Sequence, residues 1–313
     1  MMFLVACGGG GGGGGGGSLA AVGVLPPAAP PASPEPAQPE PPPPDPAPPA
    51  PEPPPAEPPP VEPPVEPEPP PPQPEPESRV VSERIASDFT GAEYPIEIYL
   101  PASYDGNSGA YPVIYAMDGD GIFNPPGTRF ENFKNTLESR GTQAILVGIG
   151  GTARREQDYM LPGARAYHDF LIQELVPLVE ARFRADPARR MLTGFSLSGS
   201  MAAVALLLEG ASGKLTFSHF LAFEASFDSQ PAENDALEQQ MRDARGNSPL
   251  PVTLILTRCD NRDECNFDNV DEMHGRLQSR GYPELRLSEL TYPTTHTGAD
   301  TVSFVDAVAA LFP

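Results

Sequence analysis

The chain has 313 residues, including 44 Pro and 30 Gly, and carries a formal net charge of −22. So acidic a surface repels phosphate backbones and anionic lipid headgroups, which excludes nucleic acid as a natural partner. Pro and Gly crowd the N-terminal end, leaving one domain of ordinary size behind a leader too poor in apolar residues to offset the entropy of ordering.

Near the start, Leu4-Val5-Ala6-Cys7 resembles a bacterial lipobox, in which a small residue precedes a Cys that becomes lipid-modified. Residues 8–17 are all Gly, and residues 26–77 are dominated by Pro, Ala and Glu. This layout predicts a lipoprotein-like N-terminus with a Gly run (1–18), a disordered Pro/Glu-rich stalk (19–78) and a folded domain at 79–313. About 50 residues of polyproline II, at roughly 3.1 Å each, would hold that domain on the order of 100 Å from its anchor. The expected location is the bacterial cell envelope, with Cys7 as a lipid anchor, on the periplasmic or outer-membrane face. No stretch is apolar for long enough to span a bilayer.

Beyond the stalk, strand-like and helix-like segments alternate. Residues 94–100 alternate apolar and polar and end at Pro101, as a half-buried strand does. Residues 113–117 form an apolar run into Asp118-Gly119-Asp120-Gly121, a buried strand entering a turn. Residues 144–149 read as another buried strand, and 167–183 as a helix with Phe170, Leu171, Leu175 and Leu178 on one face. Short strands follow at 191–195, 220–223 and 252–256. Helices are expected from 201–208, 270–280 and 301–311. Such alternation implies a mostly parallel sheet with helices on both faces.

Gly194-Phe195-Ser196-Leu197-Ser198-Gly199 lies between a strand and a very apolar helix, where a nucleophile elbow belongs. Small residues flank Ser196 because the turn is cramped. The helix behind it directs free N–H groups at Ser196, and the Leu197 amide is then an oxyanion donor. A serine hydroxyl needs a base. In strand-to-helix elbows of this kind the chain order is Ser, acid, His. Of four histidines only His274 and His296 follow Ser196 at a useful distance, and His274 sits in a helix-like stretch. His296 lies in a loop before the terminal helix and is the expected base. The acid should follow the 252–256 strand, where Asp260, Asp263, Glu264 and Asp268 are candidates; Asp260 is the first choice and Asp263 stands close behind. Cys259 and Cys265 are near enough for a short disulfide, which suits an oxidising compartment and would stiffen this loop.

With these residues placed, the chain from about Ser87 onward resembles the putative esterase family of α/β-hydrolases, which includes siderophore esterases, S-formylglutathione hydrolases and feruloyl esterases. The resemblance rests on Tyr94-Pro95-Ile96-Glu97-Ile98-Tyr99-Leu100-Pro101, on Tyr111-Pro112-Val113-Ile114-Tyr115-Ala116-Met117-Asp118-Gly119, on Arg155-Glu156-Gln157-Asp158-Tyr159, on Phe170-Leu171-Ile172-Gln173-Glu174-Leu175-Val176-Pro177 and on the Ser196 turn. It implies an α/β-hydrolase fold, a second oxyanion donor from the backbone at Gly119, and a substrate bordered by residues 119–124. The chain departs from the family pattern at Ser198, where glycine is commoner, and at Phe195, where histidine is commoner.

The expected function is a serine carboxylic-ester hydrolase of siderophore-esterase type acting through Ser196, His296 and Asp260 on a small ester or lactone. The alternatives are an esterase for carbohydrate-linked feruloyl or acetyl groups and a tethered binding protein without turnover. No cluster of His and Cys has metal-ligand spacing and no phosphate loop is present, so neither a metal nor an organic cofactor is implied.

Overall fold

The computed structural model describes residues 77–312. The lipobox-like Cys7, the Gly run and nearly all of the stalk lie outside the described residues. Eight strands form one sheet in the order β1-β2-β4-β3-β5-β6-β7-β8. They are β1 (Arg79–Ala86), β2 (Glu93–Leu100), β3 (Tyr111–Met117), β4 (Ile145–Ile149), β5 (Ala185–Phe195), β6 (His219–Phe223), β7 (Thr253–Cys259) and β8 (Arg286–Tyr292). β2 pairs antiparallel with β1 and β4, and every other neighbouring pair is parallel. β3, β4 and β7 are buried along their whole length, as parallel strands covered on both faces must be.

Helices α1 (Arg129–Arg140) and α8 (Gly298–Leu311) cover one face. There Phe130, Phe133, Leu137 and Phe304 pack on Ile114, Leu146, Met191 and Leu221. The Phe133 and Phe304 rings stack at 3.6 Å. The opposite face carries α2 (Arg155–Tyr159), α3 (Gly163–Asp169), α4 (Val176–Arg182), α5 (Leu197–Ser212), α6 (Pro231–Arg245) and α7 (Phe267–Arg280). The helix expected over 167–183 is α3 and α4 joined through a π-helical stretch, Phe170–Leu175. No described helix is long and apolar enough to cross a membrane.

One buried ion pair ties the helices of the α1/α8 face to the strand ends. Arg129 opens α1 and donates to both carboxylate oxygens of Asp300 on α8, at 3.0 and 2.9 Å. Its remaining nitrogens reach the Met117 carbonyl at 2.7 Å and the Thr193 hydroxyl at 3.1 Å. Burial pushes the Asp300 carboxyl up, and the adjacent guanidinium pulls it back. Arg129 thereby fixes the C-terminal ends of β3 and β5 against the helix that follows His296. Ligands of open parallel sheets gather at those ends.

Candidate active site

β5 ends at Phe195 and α5 begins at Leu197, so Ser196 alone makes the turn, at φ 57° and ψ −116°. A non-glycine residue in that region is strained, and such strain clusters at functional sites. The turn is too tight for a side chain at Gly194, whose added Cβ would lie 1.9 Å from the Ser198 carbonyl oxygen. The second tight position is Gly199, where a Cβ would come within 2.6 Å of the Phe223 oxygen. Ser198 is therefore free to carry a hydroxyl. It accepts from the Phe195 amide at 2.7 Å and donates to the Phe195 carbonyl at 3.0 Å, closing the elbow from within. The Leu197 amide opens α5, and none of the described turn and loop hydrogen bonds uses it. The Ser196 hydroxyl lies 3.0 Å from the Ser226 hydroxyl. None of the described hydrogen bonds joins it to His296.

His296 is placed beside this elbow by its ring contact with Phe195, 4.9 Å between centroids. Its Nδ1 lies 3.2 Å from Glu224 Oε1. Glu224 follows β6 at φ 46° and is fully buried, while the imidazole is about a third exposed. The carboxylate accepts the Cys259 amide on Oε2 at 2.6 Å and the Asn266 amide on Oε1.

The acid that meets His296 is thus Glu224 and not Asp260, which corrects the expectation from sequence. β7 runs on to Cys259, three residues beyond the expected end, and the Asp260 amide extends the ladder by donating to Tyr292. Asp260 then leaves the sheet with its side chain exposed, as do Asp263, Glu264 and Asp268. Cys259 and Cys265 are bridged, as anticipated, with Cα atoms 5.6 Å apart. The bridged loop presents amides, not carboxylates, to the site. Ser226, Asn266 and Glu224 escaped the sequence reading. The one signal for Glu224 was a charged residue directly behind the apolar run 220–223, in the required order between Ser196 and His296.

A second correction concerns Gly119. Its amide donates to the Ile149 carbonyl at 2.8 Å, extending the β3–β4 pairing, and cannot serve an oxyanion at the same time. The residue must be glycine because a Cβ would lie 2.9 Å from Gly148 backbone. In the same turn the Gly121 amide is taken by Asp118, whereas the Ile122 and Phe123 amides have no described acceptor. Asn124 ties this loop to the histidine loop through the Thr297 carbonyl at 2.8 Å.

Arg155 joins the turn to the elbow. It donates to the Phe195 carbonyl at 2.8 Å, pairs with Asp118 at 3.2 Å and lies 5.2 Å over the Phe123 ring. Burial raises the Asp118 carboxyl above its ordinary range against the pull of Arg155. Asp120 goes the other way: partial burial would raise it, but the Thr152 hydroxyl and the Gly151 and Thr152 amides hold it below the usual carboxylate range. A groove of about 600 Å³ opens beside this turn between Arg84, Ile96, Glu97, Gly119, Asp120 and Gly150. Burial, then Glu131 and Asp120, raise the Glu97 carboxyl within it.

The other histidines have structural partners. His168 pairs with buried Glu209 at 3.2 Å, and His274 lies 3.5 Å from Glu289. His219 is pushed down to about 4 by burial, then by Arg286 and Arg189.

Residues 87–215 match the family model described as "Putative esterase". The match takes in Asp118, Arg155 and Ser196 and stops short of Glu224 and His296. The chain is 26% identical over 126 residues to the uncharacterized protein YbbA of Bacillus subtilis, spanning 35% of this chain and 49% of that relative. Among solved structures it is similar to an IroE-like serine hydrolase from Shewanella oneidensis (TM-score 0.63, 21% identity, covering 75% of this chain and 80% of that one). It is also similar to the siderophore hydrolase EstA from Aspergillus nidulans (TM-score 0.60, 18% identity, covering 77% and 96%). These likenesses establish the α/β-hydrolase fold. With the family match they show the resemblance to the putative esterase family, whose class of activity is ester hydrolysis.

Proposed function

We propose, on the premise of that family match, that the chain is a serine carboxylic-ester hydrolase with Ser196 as nucleophile, His296 as base and Glu224 as the orienting acid. The single observation that carries this reading is Glu224 on His296 Nδ1 at 3.2 Å, fully buried, beside a serine held at φ 57°. With Nδ1 given to the carboxylate, Nε2 of the imidazole is left to take the Ser196 proton. The reaction requires the Ser196 hydroxyl to leave Ser226 and turn to that nitrogen. Ser196 Oγ then attacks the ester carbonyl, and the Glu224 carboxylate stabilises the imidazolium without itself accepting the proton.

The oxyanion is received by the Leu197 amide and by the Ile122 or Phe123 amide of the neighbouring turn. Each such donor contributes about 3 kcal/mol in the transition state. His296 next protonates the leaving alcohol, and water releases the acyl group by the same steps in reverse. Arg155 keeps the two donor segments in register by holding the Phe195 carbonyl and Asp118 together.

A siderophore ester or lactone is the favoured substrate class, supported by the resemblance and by solved neighbours that are siderophore hydrolases. Residence in the cell envelope through a lipid on Cys7 is part of the proposal. The Cys259–Cys265 bridge favours the oxidising compartment this requires. A fluorophosphonate probe tests the reading: one adduct on Ser196 is expected, absent from Ser196→Ala. Labelling that survives in Ser196→Ala, or none in a wild-type chain with native circular dichroism, overturns it.

A further inference from the structure

Glu224 is aimed by groups that belong to another element. Its carboxylate takes the amide of Cys259 on one oxygen and the amide of Asn266 on the other. Those two amides stand at the two ends of one short loop and converge because the Cys259–Cys265 bridge closes it. A Glu224 carboxylate oxygen and both sulfurs lie within 4.8 Å of one another. The loop has no apolar anchor of its own, since residues 260–264 are all exposed. Asn266 adds a second hold. Its side-chain amide donates to the Glu224 carbonyl at 2.7 Å and to the Ser226 hydroxyl at 3.1 Å, and Ser226 is the partner of Ser196.

We infer that the Cys259–Cys265 cystine and Asn266 are positioning residues for ester hydrolysis, so that turnover depends on the cystine being intact. This rests on the reading of Ser196, His296 and Glu224 given above. The bridge holds two backbone N–H groups on the acid, and a carboxylate so held keeps the imidazole in its productive orientation. Opening the bridge frees residues 260–265, and a displacement of about 1 Å at the acid suffices to cost roughly 10²-fold in rate.

The opening step needs a dithiol. One of its thiolates attacks the half-buried Cys265 sulfur, forming a mixed disulfide and expelling the Cys259 thiolate, which takes up a proton. The second thiol of the reagent then attacks the mixed disulfide, releasing Cys265 as a thiol. The reagent leaves as a cyclic disulfide, oxidised by two electrons, while the cystine is reduced to two thiols.

The test uses the full chain and p-nitrophenyl butyrate, before and after dithiothreitol, with thiol titration confirming a gain of two. The expected result is a kcat about 10²-fold lower with KM within about threefold, recovered on reoxidation. The Cys259→Ala/Cys265→Ala variant should share the lower kcat and ignore dithiothreitol. The downfield proton resonance of the His296–Glu224 hydrogen bond should shift or vanish on reduction, which a change in global stability alone does not produce. Should the reduced chain unfold, Asn266→Ala with its cystine intact decides, with kcat expected about tenfold lower. Equal kcat in folded oxidised and reduced chains overturns the inference, as does a wild-type rate in Asn266→Ala. An oxidised chain that neither hydrolyses the ester nor labels at Ser196 overturns the esterase reading itself.

Discussion

The serine elbow and the acid clamp both hold a residue at positive φ, and they differ in how much of the hold is local. Ser196, at φ 57°, is cramped by its neighbours, with Gly194 leaving room for the Ser198 carbonyl and the Ser198 hydroxyl bonding both backbone groups of Phe195, while its own amide and carbonyl are tied to Phe223 and Ser226 at 3.0 and 3.1 Å. Glu224, at φ 46°, is fixed by Cys259, Asn266 and His296, which lie 35, 42 and 72 positions away. The elbow needs β5, α5 and the end of β6. The clamp exists only when β6, the bridged loop and the histidine loop are docked together. Damage to the clamp should therefore follow the docking of distant segments and reach the elbow through Phe223 and Ser226.

The sharpest way to break the pairing is His296→Ala. It should lower kcat by about 10⁶-fold with an unchanged far-ultraviolet spectrum, because nucleophile and base act as one unit. A loss below tenfold in a steady-state ester assay would separate the two regions functionally. Next in size is Arg129→Ala, since Arg129 bonds Thr193 before the elbow and Asp300 after the histidine loop. It leaves a buried carboxylate unpaired, and urea unfolding should register a loss of about 3–5 kcal/mol.

Ser198→Gly should cost less, about 1–2 kcal/mol, because it strips the Phe195 amide of its partner. Because Phe223 and Ser226 on either side of Glu224 bond Ser196, its effect on stability should be non-additive with that of Glu224→Gln in a double variant, which thermal denaturation measures. The smallest effect concerns Asp120. Its carboxyl is held below the usual range in the folded chain, so its contribution to stability is present above about pH 4 and lost as pH falls through the lower folded value. Urea unfolding of wild type and Asp120→Asn should diverge at pH 5 and converge toward pH 2.

The same contrast explains what could be read from sequence. The elbow is a local device, and Gly194, Ser196 and Leu197 stand together in the chain where the strand-to-helix transition requires them. The central strands announce themselves by continuous apolar runs. Helix α1 is absent from the expected elements although its signals stand in the chain: Thr128 and Glu131 form a reciprocal capping box, Phe130, Phe133 and Leu137 share a face, and Gly141 ends it at φ 64°. The acid was not legible in that way. Glu224 competes in the chain with Asp260, Asp263, Glu264 and Asp268, and which one faces His296 depends on β7 extending to Cys259 and on where the bridged loop turns. Gly119 misled for a related reason. Its motif marks the turn correctly, but only the pairing with Ile149 reveals that its amide is already taken.

The central claim is that Glu224, and no carboxylate of the bridged loop, completes a hydrolytic unit with His296 and Ser196. The most direct measurement compares kcat/KM on p-nitrophenyl butyrate for Glu224→Gln and Asp260→Asn under oxidising conditions. The account predicts a fall of about 10⁴-fold for Glu224→Gln and a change within about twofold for Asp260→Asn. Near-normal activity in Glu224→Gln together with collapse in Asp260→Asn would contradict it.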